Sequence, residues 1–191
     1  MAKSFDTQVL NTTIMGVVQD TFKKMLHIES AVDPVVFEKD IIEYDGFMRV
    51  FPMEKFNGPV FISYVNFYLT QKELEKNNTD GTFVFFVKED VAEKLLKAFG
   101  RPLKEAEDEE VLMDIVGEFC NILAGNVKNE LVGLGYADIS MSAPHKSKNS
   151  VPDGVPFDYE LFTKQELSFT FWNQKCIVVE ACMGNIPQKG K

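Results

Sequence analysis

Residues 111–125 read Val111-Leu112-Met113-Asp114-Ile115-Val116-Gly117-Glu118-Phe119-Cys120-Asn121-Ile122-Leu123-Ala124-Gly125. At about 100° per residue, Leu112, Ile115, Val116, Phe119, Ile122 and Leu123 fall within an arc of about 120°, the stripe that a surface helix buries. Asp114, Glu118, Asn121 and Gly125 fall within a second arc of about 60°, centred about 130° from the first by the same arithmetic. An acid, an acid, an amide and a glycine therefore stack along one exposed flank, where side chains three or four apart can act together. The acidic run Glu105, Glu107, Asp108, Glu109 and Glu110 suits the positive end of the helix dipole, and Gly133 and Gly135 suit a left-handed end. The reading is one long helix over about 108–133.

Outward from this helix the periodicity changes. Val9, Leu10, Ile14, Val17, Val18, Phe22, Met25 and Leu26 predict a first amphipathic helix over about 7–26. Residues 40–44 and 47–51 alternate on either side of Asp45-Gly46, a hairpin signal. Residues 60–69 and 82–87 read as strands, with a polar loop or short helical excursion over 70–81 between them. Val91, Leu95, Leu96 and Phe99 predict a short helix ending at Gly100. Residues 137–143 alternate and Pro144 stops them. Residues 145–156 read as a mobile polar loop, 167–172 and 176–183 as the last strands, and 184–191 as a flexible tail. Even spacing along the last strand places Cys176 and Cys182 on one sheet face. Hairpins dominate and strict βαβ alternation is absent. The fold class is therefore α+β, one domain over 1–191, with a mainly antiparallel sheet packed by the long helix and further helices.

Composition narrows the chemistry. The 191 residues carry 20 Lys+Arg against 29 Asp+Glu, a net charge of −9, which speaks against binding nucleic acid. Three cysteines and two histidines are too few for a disulfide scaffold or a His/Cys zinc site, and the thiols read as reduced and cytoplasmic. No apolar run approaches the roughly 18 residues of a membrane span, and the N-terminus lacks the apolar core of a signal peptide. Chemistry falls to carboxylates, amides or hydroxyls, or is borrowed from a partner.

Asp114-x-x-x-Glu118-x-x-Asn121, then 22 residues, then Pro144, resembles the signature of the CheC/CheX/FliY chemotaxis phosphatases. The flanking text over 117–126 and 138–144 is similar to that family too, and the likeness is firmest over 108–144. Only one copy of the motif is present, because Leu10 and Thr13 stand where a Glu and an Asn would follow Asp6. The chain thus resembles single-site CheX more than two-site CheC. The resemblance implies a CheX-like fold and hydrolysis of the phosphoaspartate of a CheY-type response regulator. That partner supplies the phosphoryl group and its Mg²⁺, so the chain needs no cofactor or metal of its own. By the same resemblance Asn121 orients the attacking water and Glu118 docks the partner by pairing with its lysine. Asp114 helps in docking or orienting, and Pro144 ends the strand beside the helix. Gly125 costs about 1 kcal/mol relative to alanine inside a helix, which makes sense where something approaches its backbone closely. CheX-like proteins further suggest a homodimer, through an edge strand. The alternative is a non-catalytic module that docks a regulator or scaffold without hydrolysis.

Overall fold

The structure, a computed structural model, describes residues 5–30 and 32–190. In chain order the elements are α1 (Thr7–Leu26), β1 (Val35–Asp40), the short strands β2 (Glu43–Tyr44) and β3 (Phe47–Met48), β4 (Val60–Tyr68), α2 (Gln71–Lys76), β5 (Gly81–Lys88), α3 (Glu89–Ala98), α4 (Glu109–Gly133), β6 (Ser140–Met141), β7 (His145–Lys148), β8 (Thr163–Phe171) and β9 (Gln174–Met183). Polar side chains cap the starts of α1, α2 and α4. Asp6 accepts from the N–H groups of Gln8 and Val9, Asp108 from that of Glu110, and Thr70 from that of Glu73.

The longest apolar runs form the middle of one seven-stranded sheet in the order β1-β8-β9-β5-β4-β6, with β7 also pairing with β4. All its pairings are antiparallel. β4, β5, β8 and β9 are buried on both faces, which is why they read as near-continuous hydrophobic runs. α1, α3 and α4 cover one face. There the Phe119 ring of α4 stands among Phe22, Phe85 and Phe99, at centroid separations of 5.4, 5.7 and 6.4 Å.

The other face carries a second core. Met48, Phe56, Val155, Phe157 and Leu161 pack there with Ile62, Val84, Phe86 and Val178 of the sheet. Beside it lies a buried ionic network. Lys55 donates to Glu180 at 2.5 Å and to Glu166, Lys164 donates to Glu180 at 2.7 Å, and Lys39 pairs with Glu166 at 2.9 Å. Burial alone would raise the Glu166 pKa. The hydrogen bonds and charges of Lys55 and Lys39 outweigh it and hold the carboxyl down at about 2. Lys55 itself is pushed down by burial, but the charges and hydrogen bonds of Glu180 and Glu166 carry it above its ordinary value.

The α+β class and the antiparallel sheet agree with the sequence reading, and several local expectations do not. β1 was not anticipated. It is an edge strand with Val35 and Phe37 half-exposed, so its pattern is blurred. The Asp45-Gly46 turn exists, both residues having positive φ, but it joins only β2 to β3 and stands outside the main sheet. Residues 145–148, expected in a mobile loop, form β7. Cys176 and Cys182 fall in opposite cores, because the ladder between β8 and β9 shifts at Phe169/Thr170 and leaves Cys176 as an extra residue. The tail expected to be flexible is tied down through residue 189. Ile186 is buried, Ala137 donates its N–H to the Pro187 carbonyl, and Lys189 donates its N–H to that of Gly135.

Candidate functional site

α4 lies over β4 and alongside β7, so its outer flank borders one edge of the sheet. Leu112, Ile115, Val116, Phe119 and Leu123 are buried, and Ile122 half so. Asp114, Glu118 and Asn121 are exposed together on the opposite flank. Glu118 and Asn121 make no hydrogen bond or ion pair among the described residues, whereas Asp114 is paired with Lys146. Arg101, in the turn after α3, donates to Glu105 at 2.8 Å. That bond chiefly raises its pKa, and the charges of Glu118 and Asp114 add to the rise. Behind the flank, burial pushes the Cys120 thiol up to about 12, so it is inert at neutral pH.

The neighbouring edge is interrupted. Phe67 pairs with Met141 of β6, and Tyr64 with His145 of β7, so three residues on the edge span two on β4. Ser142 fills part of the break, exchanging hydrogen bonds with the Asn66 backbone at 3.0 Å. Pro144 occupies the rest, where its missing N–H leaves no ladder position unpaired. Beyond the break β7 is held on both sides. His145 stacks on Tyr64 with ring centroids 4.6 Å apart. On the helix side Lys148 bridges Glu89 at 2.8 Å and Glu109 at 2.7 Å, joining the starts of α3 and α4.

Lys146 leaves β7 toward α4 and crosses the helix at Gly117. A Cβ at residue 117 would stand 2.6 Å from Lys146 Cδ and 2.8 Å from Cγ, a collision. The close approach to the helix backbone, expected at Gly125, is therefore made at Gly117. At Gly125 a Cβ would find only Met141 Cε at 3.9 Å, ordinary contact, so among the described residues nothing requires that glycine.

Asp114, Glu118 and Asn121 are thus brought together, and Gly125 and Pro144 flank them along the helix and in the edge break. Gly117, Lys146 and Lys148 escaped the sequence reading. The available signal was a second glycine inside the helix and the alternation His145-Lys146-Ser147-Lys148, which has no apolar residue to mark it as a strand. Among the described residues no group of three or more His, Cys, Asp or Glu is placed to hold a metal, and no helix is long and apolar enough to cross a membrane.

Residues 75–151 match the family described as chemotaxis phosphatase CheX. No curated protein matches the chain. Several solved structures share its fold. A CheC-like superfamily protein from Shewanella sp. PV-4 is 20% identical with a TM-score of 0.57, covering 91% of this chain and 96% of that one. The chemotaxis protein CheX from Vibrio vulnificus is 19% identical with a TM-score of 0.53, covering 91% and 97%. In the CheX–CheY–BeF3–Mg²⁺ complex from Borrelia burgdorferi the similar chain is 14% identical with a TM-score of 0.51, covering 94% and 97%.

Proposed function

We infer that this chain, whose residues 75–151 match the chemotaxis phosphatase CheX family, hydrolyses the phosphoaspartate of a CheY-type response regulator. The observation that carries this reading is the pairing state of the α4 flank. The Glu118 and Asn121 side chains are exposed one turn apart and make no hydrogen bond or ion pair among the described residues, while Asp114 beside them is engaged. An exposed carboxylate and an exposed amide left free on a rigid helix suit a reacting partner that approaches from outside. The similar fold in the CheX–CheY complex supports a response regulator as that partner.

Phosphoryl transfer to water calls mostly for positioning and charge stabilisation, with little covalent work for the protein. The regulator brings the phosphoryl group and its Mg²⁺. Asn121 brings a carboxamide that can accept from and donate to one water without changing charge, and so orients it for in-line attack. Glu118 pairs with a lysine of the regulator and fixes the register in which Asn121 enters its site. Such placement contributes several kcal/mol to a rate. Asp114 supports the flank, and Pro144 shapes the edge that borders it. The chain acts as one domain in the cytoplasm. A homodimer belongs to the same reading, and the outer edge of β1, with Val35 and Phe37 half-exposed, is available for self-pairing.

The test is phosphate release from a phosphorylated CheY-type regulator with and without the protein, and with Asn121→Ala. Stimulated release that Asn121→Ala abolishes supports the reading. Equal release by both proteins refutes the role of Asn121. Tight binding with no stimulated release by the wild type leaves a docking module in place of an enzyme.

A further inference from the structure

Four features of one small region belong together. The backbone of Lys146 is fixed by its place in β7, opposite Ser63 of β4. Its alkyl arm crosses α4 where residue 117 has no Cβ, and any side chain there would displace it. Its ammonium ends on Asp114. Glu118, one turn further along the same flank, makes no ion pair among the described residues. Lys148, the β4 ladder and the stack of His145 on Tyr64 also attach β7 to the fold.

We propose that Lys146 is a positioning residue: it neutralises Asp114 within the chain and leaves Glu118 as the one carboxylate of the flank free to receive a regulator's cation. The proposal rests on the regulator-docking function above. Without Lys146, Asp114 and Glu118 are two exposed acids at i and i+4, and either can take the same cation. Moving the cation from Glu118 to Asp114 shifts the partner by about 6 Å along the helix, four residues at 1.5 Å each. Displacement of that size takes the Asn121 amide out of reach of the attacking water, since about 1 Å is already costly. Lys146 thus selects the docking register. The Asp114–Lys146 pair also works in the other direction. Without Asp114 the ammonium is free to turn to Glu118 and compete with the regulator for it.

The two single substitutions therefore have different signatures and should cancel. Lys146→Met keeps most of the arm over Gly117 and removes the charge. It should lower kcat for stimulated phosphate release and the KM for the regulator together, at least fivefold each, because a competing unproductive register leaves kcat/KM unchanged. Asp114→Asn should raise KM at least threefold, with kcat largely kept. The double variant should return both constants to within threefold of wild type, which a merely structural role for Lys146 would not produce. An unchanged kcat in Lys146→Met, or a double variant at least as impaired as Lys146→Met, overturns the proposal. If the wild type gives no stimulated release, the function on which the proposal rests has failed, and the proposal with it. A thermal cycle reads the contact itself without a regulator. Gly117→Ala should lower Tm in the wild type and raise it in Lys146→Ala, where the arm is gone and alanine is the better helix former. The same sign in both backgrounds removes the packing on which the proposal stands.

Discussion

Asn121 contributes an amide and no charge, is exposed, and makes no side-chain hydrogen bond among the described residues. Asn121→Ala should therefore abolish stimulated phosphate release while stability stays within about 1 kcal/mol, since alanine is the better helix former at an exposed position. Thermal melts beside the release assay check both halves, and a Tm drop of many degrees would place Asn121 in a structural role. Glu118 differs because its work is in docking. Glu118→Ala removes an exposed side chain with no hydrogen bond or ion pair among the described residues, so the fold should be unharmed. Affinity for a beryllofluoride-activated regulator, measured by calorimetry, should fall about tenfold, as for the loss of a charge-assisted hydrogen bond. Unchanged affinity would dismiss Glu118 as the docking group. The glycines show how far a single residue can be read. Both Gly117 and Gly125 are visible as poor helix formers, but which one lies under another side chain is set by Lys146, 32 residues from Asp114 in sequence.

At the scale of elements, α4 was legible because both of its faces are written into one contiguous segment. The stripe of Leu112, Ile115, Val116, Phe119 and Leu123 and the flank of Asp114, Glu118 and Asn121 need only helical arithmetic. β7 was not legible, because its binding to the fold comes from β4 backbone, Tyr64 and carboxylates on two helices, none of them nearby in sequence. β1 failed for the related reason that an edge strand buries only part of itself. The bulge at Cys176 defeated strict alternation, since one extra residue reverses every face before it. What holds the site flank in place is the buried side of α4, above all Phe119, which lies between Glu118 and Asn121 in sequence and contacts three other phenylalanine rings. Phe119→Ala should cost about 3–5 kcal/mol and lower Tm by on the order of 10 °C. A loss below 1 kcal/mol would mean that the ring is not anchoring the helix.

Across the whole molecule, the net charge of −9 gives no attraction toward the carboxylates of a regulator's own site, so docking rests on local pairing at the α4 flank and on shape. The strongest charges of the fold lie elsewhere, buried on the far side of the sheet, where Lys55 bridges Glu166 of β8 and Glu180 of β9. Their weight in stability is readable through acid. The Glu166 pKa is held at about 2 against an ordinary 4.5. A depressed carboxylate gives stability that is present above its unfolded pKa and is lost as pH falls through the folded value. Wild-type stability from this group should therefore be full above about pH 5 and decline from there toward pH 2, by about 3 kcal/mol in all. Lys55→Met leaves two buried carboxylates short of a cation and should cost about 3–5 kcal/mol at pH 7. In that variant burial pulls the Glu166 pKa back up, so protonation relieves the unpaired charge. Urea unfolding at pH 7, 4 and 3 should then show the gap between wild type and variant narrowing as pH falls. A gap that stays constant across the three would show that Lys55 contributes packing of its alkyl chain and not charge.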